Sequence, residues 1–354
     1  MKRTIRFLPL YVVLAELFLA GISRSEPPLP AVPVPVVPVD PPPQEPVLVP
    51  ALPGGPYSGP PTQVSEVPFA GQNPLFDKRD VPHEGLFATL EASIVGAHVK
   101  NRLVNTVQIG DVLTDTVHLP SAELDGTVSP RFELGYRLPE NYGEFLVAYR
   151  FLIADGVAHA FTDLGPARLK SRINLNEIDL DYVSRDFSLA QNYDLRWRLG
   201  SRLAGVFFDS RLDVAAPPND FGVGAATERV SNNFLGAGPH FGLDLARRLD
   251  VPGASIFTRV DGAVAVGRIR QGFDETFTFA GDGTSIGGAT TVSKTQAVPM
   301  LGVQFGVAWS PFGCKYATYS VGYEFEQWWN VGRAQGSVAD LSFQGVFLRA
   351  EFSF

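Results

Sequence analysis

Acidic and basic side chains repeat at every second residue in two neighbouring stretches of the chain. Glu177, Asp179 and Asp181 share one face of a predicted strand, and Arg196 and Arg198 share one face of the next. Side chains two residues apart lie on the same face of a strand, so a hairpin would bring the two sets opposite each other as an acid–base ladder. Such a ladder either lines a pore and sets its ion selectivity or fills a narrow barrel with salt bridges.

The same spacing recurs in the strands predicted around this ladder. Arg349 and Glu351 of the last strand would meet the first strand at a closing seam. Inward glycines such as Gly236, Gly242 and Gly302 favour an open space, although small residues also permit close packing of strands. The predicted lumen-lining residues are Arg131, Glu133, Arg137, Glu144, Arg150, Glu177, Asp179, Asp181, Arg196, Arg198, Arg202, Arg259, Asp261, Glu324, Arg349 and Glu351.

Catalytic chemistry has no comparable pattern. His83, His98, His118, His159 and His240 are scattered without metal-ligand spacing, and neither a G-x-S-x-G elbow nor a P-loop occurs. We therefore predict no catalytic, cofactor or metal site and no enzymatic activity. The net charge of −8 and the pI near 5.2 argue against a nucleic-acid partner, which calls for a basic face.

Ten stretches of alternating apolar and polar residues predict the strands that position the charges. A phase slip near Asn176 suggests a bulge, and apolar alternation within 99–127 and 270–294 would raise the count to twelve through one extra hairpin. The predicted strands are Leu86–His98, Val128–Leu138, Glu144–Ile153, Arg168–Ser184, Tyr193–Phe207, Glu228–Leu245, Ser255–Ile269, Thr295–Ser310, Lys315–Gln327 and Leu341–Phe354.

The connections between these strands alternate between long and short, which is typical of a transmembrane barrel with both termini on the short-turn, periplasmic side. Aromatic residues near both strand ends, among them Trp309 at one end and Trp328 and Trp329 at the other, fit two interfacial girdles. In the last strand Val346 and Phe354 share an apolar face that would meet lipid. The predicted fold is therefore an all-β, transmembrane antiparallel β-barrel of about ten strands.

The N-terminal part of the chain differs from the barrel in composition. Residues 1–25 have the basic start and apolar centre of a signal peptide. Residues 26–84 follow as a disordered, proline-rich periplasmic linker, whose stretch 26–62 holds 15 of the 29 prolines and is expected to be extended. This stretch is a semi-rigid spacer or, in the sharper interpretation, a tether to the cell wall or to a periplasmic partner. The single cysteine, Cys314, excludes an intramolecular disulfide.

Three segments give the chain a family resemblance. N-N-F-L-G-A-G-P-H-F-G-L-D-L (232–245), Y-E-F-E-Q-W-W-N (323–330) and the C-terminal D-L-S-F-Q-G-V-F-L-R-A-E-F-S-F resemble the Legionella-type major outer membrane protein family. The resemblance covers Gly85 to Phe354. It implies an outer-membrane barrel that admits small solutes or ions, and it brings no catalytic residues.

Two functions remain open. The first is a pore for passive diffusion of ions or small solutes. The alternative is a structural or adhesive barrel with a sealed lumen, which acts through its surface loops and its periplasmic tether. The expected partners are outer-membrane lipid and the barrel-assembly machinery, which would recognise the strand that ends in Phe354.

Overall fold

The computed structural model describes residues 84–109, 113–162, 165–190, 192–215, 223–281, 283–311, 316–334 and 336–354. The signal peptide, Cys314 and the proline-rich linker up to residue 83 lie outside the described residues, so the predictions about them stay predictions. In the described part of the chain, no helix is both long and apolar enough to cross a bilayer.

Thirteen strands and a short 3-10 helix, Pro139–Asn141, lie within the described residues. The strands are β1 (Gly85–Arg102), β2 (Asn105–Ile109), β3 (Leu113–Val117), β4 (Thr127–Arg137), β5 (Glu144–Thr162), β6 (Gly165–Val183), β7 (Phe187–Ala190), β8 (Tyr193–Ala215), β9 (Val223–Arg248), β10 (Ala254–Phe279), β11 (Ser285–Trp309), β12 (Ala317–Trp328) and β13 (Val338–Ser353).

Ten of these strands form a closed antiparallel barrel. β1 pairs with β4 on one side and with β13 on the other, and β6 pairs directly with β8, which also pairs with the short strand β7. Closure leaves no free edge, as lipid requires, because lipid offers the backbone no hydrogen-bond partners. The predicted all-β barrel of ten strands is confirmed. Strands β2 and β3 pair only with each other, so this hairpin does not enlarge the wall to twelve strands.

Apolar side chains cover the outer surface of the barrel in a band. On β10 the outward side chains of Ile256, Val260, Val264 and Val266 are exposed, and the inward positions between them are buried or half-buried. The run from Ile256 to Val266 spans eleven residues, which matches the 9–11 residues that a tilted strand needs to cross a bilayer. Trp329 is exposed beyond the band, but the interfacial position predicted for its neighbour Trp328 is wrong, because that side chain turns inward and is buried.

The predicted long loops at 208–227 and 270–294 are largely strand. β8 continues to Ala215, and β10 and β11 pair without interruption up to Thr278 and Ser285. The wall therefore projects beyond the apolar band on one side, which we call the hairpin end. The opposite side, with the turns at 138–143 and 249–253 and with Phe354, is called the short-turn end.

The bulge predicted near Asn176 is wrong. β6 pairs with β5 and with β8 in a continuous register through this residue. The apparent phase slip arises because the inward face changes from apolar, at Ile173 and Leu175, to charged, at Glu177 and Asp179. The lumen thus has two chemically distinct parts.

Candidate functional site in the barrel lumen

Ionisable side chains fill the lumen toward the short-turn end, inside the apolar band. The structure places every predicted lumen-lining residue on the inward face. Three further carboxylates, Glu91, Asp244 and Glu326, lie on the same face although the prediction did not list them. Glu326 follows Glu324 by two residues, so the spacing alone could have identified it. Eleven carboxylates and eight arginines form this charged zone: Glu91, Arg131, Glu133, Arg137, Glu144, Arg150, Glu177, Asp179, Asp181, Arg196, Arg198, Arg202, Asp244, Arg259, Asp261, Glu324, Glu326, Arg349 and Glu351.

One chain of contacts starts at the seam where the barrel closes. The Nε of Arg349 on β13 donates to Glu91 on β1 at 2.7 Å, as the paired register of these residues allows. The Nη2 of Arg349 donates to Oε1 of Gln304 on β11 at 2.6 Å, and the Nε2 of Gln304 donates to Glu324 on β12 at 3.1 Å. The seam is thus held by side chains as well as by backbone pairing.

The chain of contacts then crosses the lumen through Arg150 of β5. Its Nη2 lies 2.5 Å from Oε1 of Glu324, and its Nη1 lies 3.3 Å from Oε2 of Glu326. The other oxygen of Glu326 lies 3.5 Å from Nη1 of Arg202 on β8. Strands β5, β8 and β12 are not neighbours in the barrel, so these ion pairs span its interior.

The predicted acid–base ladder forms around Arg202. Its guanidinium binds Asp179 through Nε at 2.7 Å and Nη2 at 3.0 Å, and it lies 2.7 Å from Glu177. Asp179 stands directly opposite Arg202 in the β6–β8 register. Arg131 of β4 joins the group, 3.4 Å from Asp179 and 2.8 Å from Glu133. Such bidentate, charge-assisted contacts are the strong form of the hydrogen bond.

The other arginines of β8 bind different carboxylates. Arg198 donates to Asp244 of β9 at 3.1 Å and lies 4.0 Å from Asp181. Arg196, at the short-turn end, lies 3.5 Å from both Glu144 and Asp186. In the β6–β8 register Arg202 stands directly opposite a carboxylate, whereas Asp181 stands opposite Gly200 and Arg198 opposite Val183. Arg196 and Arg198 therefore find their shorter contacts outside β6.

His240 lies fully buried in the charged zone, on the same strand face as Gly242 and Asp244. Its Nδ1 lies 2.8 Å from Asp181, and its Nε2 lies 3.5 Å from Asp261. Ligand atoms of Asp179, Asp181 and His240 lie within 4.8 Å of one another, a spacing that suits a metal ion. The guanidinium of Arg202 already supplies a positive charge at this point, with its Nη2 atom 3.4 Å from Nε2 of His240. The arrangement therefore favours ion pairing over metal binding.

Little free space remains between these charges. A Cβ at Gly242 would lie 2.5 Å from Oδ1 of Asp261 and 2.6 Å from Cγ of Arg198, so this glycine admits side chains rather than opening a passage. At Gly302 the nearest atom would lie 3.8 Å away. Gly302 borders a cavity of about 10 Å³ beside Arg150 and Arg202, which is room for roughly one water molecule.

Toward the hairpin end the lumen is apolar. Inward side chains of the wall, such as Leu175, Phe234 and Phe343, form one buried cluster with Leu103, Val107, Ile109, Val117, Leu119 and Leu124. The latter group belongs to the segment 103–126 between β1 and β4, which carries the β2–β3 hairpin and which we call the plug. The plug and the wall residues around it form the apolar zone.

Hydrogen bonds fasten the plug to the wall. Ser171 of β6 accepts from the backbone N–H of Ala122 at 2.8 Å, and Ser210 of β8 donates to the carbonyl of Pro120 at 3.0 Å. The hydroxyls of Ser171 and Ser210 also lie 3.0 Å apart. The hydroxyl of Ser337 bonds both the N–H and the carbonyl of Val104. Polar backbone groups of the plug are thereby satisfied inside an apolar interior.

The rim of the plug carries carboxylates outside the apolar band. Glu275 of β10 stands opposite Glu228 of β9, and its side chain is buried. Burial, together with the nearby Asp115 and Glu228, raises the pKa of Glu275 to about 7. Burial and Asp115 also raise the pKa of Glu228. The wall and the plug thus meet beside Glu275, whose pKa lies near neutral pH.

Comparison with known proteins gives one family. The family model described as Legionella pneumophila major outer membrane protein precursor matches residues 127–354. The matched range begins at β4, later than the Gly85 expected from the resemblance, so β1 and the plug fall outside it. No curated protein matches the chain.

Several solved barrels resemble the chain at low identity. Neisserial surface protein A is 12% identical, covering 76% of this chain and 97% of that one, with a TM-score of 0.28. The Pseudomonas putida toluene transporter TodX is 7% identical over 77% and 90%, with a TM-score of 0.28. Ail of Yersinia pestis is 11% identical over 75% and 99%, with a TM-score of 0.20. These low TM-scores give no information about what the present chain binds or transports.

Proposed function

The chain belongs to the Legionella pneumophila major outer membrane protein family, and we propose that it is an outer-membrane pore for small ions or solutes that is closed in the described state. The observation that carries this proposal is the charged zone. Ionisable side chains at membrane depth are costly and usually mark ion pathways, and buried ion pairs add little stability over apolar packing. A barrel needed only as a wall gains little from nineteen such side chains.

The apolar zone supplies the closure in this proposal. Hydrophobic constrictions block ions by excluding water, even where the backbone leaves a gap. The plug strands are separate from the wall sheet, and the plug is attached mainly through side-chain hydrogen bonds and one backbone hydrogen bond, from the N–H of Asp125 to the carbonyl of Asp155 at 2.9 Å. In this proposal the plug leaves the lumen without breaking the barrel. Opening would then wet the charged zone, where an excess of carboxylates over arginines favours cations.

The second candidate is the sealed barrel that acts through its outer surfaces. The cross-lumen pairs of Arg150 with Glu324 and Glu326 favour it, because they obstruct the lumen independently of the plug. The projecting hairpins β8–β9 and β10–β11 would then make the contacts of an adhesive protein.

Single-channel recording in planar bilayers tests the proposal. We expect rare openings from the full chain and frequent stepwise currents from a variant in which 104–125 is replaced by a short glycine–serine linker. Leu119→Asp places a charge at a buried plug position and should also make openings more frequent than in the full chain, but less so than the linker variant. If all three barrels insert and none conducts, the pore is wrong and the sealed barrel stands.

Ion selectivity tests whether the charged zone lines the path. In the linker variant, Arg196→Glu should shift the reversal potential further toward cations, because it reverses a charge in the lumen. Arg211→Glu makes the same change on the outer face of β8 and serves as the matched control. Equal shifts from both variants would contradict a path through the charged zone.

Orientation and partners belong to the same proposal. The short-turn end would face the periplasm, and the hairpin end the exterior, as short turns and long hairpins do in such barrels. Phe354, whose side chain is 74% exposed at the end of β13, would be available to the barrel-assembly machinery. We propose transport rather than enzymatic activity for this chain.

A further inference from the structure

Two arginines of β10 lie at the edge of the apolar band that is nearer the hairpin end. Arg268 and Arg270 follow the exposed, lipid-facing Val266 on the same outward face and are themselves exposed. In the sheet register Arg268 stands opposite Leu235, whose side chain is 68% exposed. Arg270 stands opposite Asn233, one step beyond the apolar band. The two guanidiniums therefore emerge where hydrocarbon gives way to headgroups.

Neither arginine forms an ion pair or a side-chain hydrogen bond with another described residue. Two other outward arginines of the hairpin end do have carboxylate partners: Arg211 lies 2.7 Å from Asp213, and Arg229 lies 2.7 Å from Asp209. Since no carboxylate among the described residues pairs with Arg268 or Arg270 at the band edge, their positive charge is available to a group outside the chain.

Hydrogen-bonding groups surround the two arginines on the same face. Thr295 stands opposite Arg268 on β11, and Ser293 stands opposite Arg270. Asn233 flanks Arg270 from β9. Successive side chains on one face of a strand lie about 7 Å apart, so these donors cover an area the size of one headgroup. Guanidiniums with flanking hydroxyls and an amide are suited to bind phosphate oxygens.

We propose that Arg268, Arg270 and their polar neighbours bind the phosphate of an anionic lipid headgroup in the leaflet at the hairpin end. The apolar side chains of Leu235 and Val266 lie below the site and would contact the acyl chains of the same lipid. Basic residues at the membrane boundary attract anionic lipids in this way. The proposal concerns the outer surface of the barrel and does not depend on whether the lumen conducts.

Native mass spectrometry of the full chain, refolded in detergent, counts the lipids that stay bound. The probes are lipid A, phosphatidylglycerol and phosphatidylcholine. We expect lipid A and phosphatidylglycerol to be retained and phosphatidylcholine to be lost. Arg268→Ala/Arg270→Ala should weaken retention about thirty-fold, the effect of two interfacial arginines. Heat-dependent migration on a gel verifies that each variant is a folded barrel.

The matched control removes two other outward cations. Arg168→Ala/Lys170→Ala changes the same charge at the same spacing on β6, near the tip of the β5–β6 hairpin and far from the band. It should leave lipid retention unchanged. Equal loss in both double variants, or equal retention of all three lipids by the unmodified chain, would overturn the proposal. Displacement of lipid A by millimolar inorganic phosphate would overturn the role of the lipid.

Discussion

The charged zone and the apolar zone fill the same barrel with opposite chemistry. In the charged zone most wall strands contribute charged side chains, and some of their partners lie across the lumen, as Glu326 does from Arg150. In the apolar zone the wall strands contribute Phe234, Leu175 and Phe343, and a separate segment, the plug, fills the remaining space. One zone is closed by specific pairs, and the other by shape and exclusion of water.

This difference has energetic consequences. A buried ion pair adds little net stability because desolvation offsets attraction, yet the loss of one partner leaves an uncompensated charge. An apolar contact stabilises in proportion to its buried area, and its loss leaves a cavity. The charged zone should therefore tolerate removal of whole pairs but not of single members. The apolar zone should respond to each side chain separately.

The largest effect is expected from Arg150. Arg150→Met leaves Glu324 and Glu326 without this guanidinium and should lower the free energy of unfolding by about 4 kcal/mol. Arg150→Met/Glu324→Met removes the pair together and should recover at least half of that loss, since Glu326 keeps Arg202. Urea unfolding in detergent, followed by tryptophan fluorescence, measures both. Additive losses would contradict the proposed contrast between the zones.

Phe234 tests the apolar zone. Phe234→Ala empties a fully buried position and should cost about 3 kcal/mol, without rescue by any charge change elsewhere. Leu235→Ala, the next residue on the same strand, removes a lipid-facing side chain and is the matched control. Leu235→Ala should lower the free energy of unfolding by less than half as much as Phe234→Ala, because lipid fills the space that the mutation leaves. The same urea titration compares the two variants.

The sequence predicts the wall better than the contents of the lumen. Alternation assigns the ten strands correctly because lipid and the lumen impose opposite chemistry on the two faces. In the apolar zone this contrast disappears, so Ile173 and Leu175 suggested a bulge, and Trp328 suggested an interfacial girdle. The pairs of Arg150 depend on barrel curvature, which no local pattern records.

A smaller effect is expected where the plug meets the wall. Ser171→Ala removes the acceptor of the Ala122 N–H and should weaken plug docking by about 1 kcal/mol. Amide hydrogen exchange at Ala122 measures this, and exchange should accelerate about five-fold. Ser93→Ala is the control, because the hydroxyl of Ser93 is buried in the same lumen without a hydrogen-bond partner among the described residues. Equal acceleration in both variants would exclude a specific tether.

The smallest effect is expected from pH at the plug rim, where the two chemistries meet. Burial, Asp115 and Glu228 raise the pKa of Glu275 to about 7, above its ordinary value, so folding favours the neutral carboxyl. A raised acid pKa stabilises at low pH, and that contribution is lost as pH rises through about 7. Hydrogen exchange of β3 should therefore be slower at pH 6 than at pH 8, after correction for intrinsic exchange.

Glu275→Gln should abolish the difference, whereas Glu123→Gln, an exposed plug position, should preserve it. Persistence of the pH dependence in Glu275→Gln would place the titrating group elsewhere.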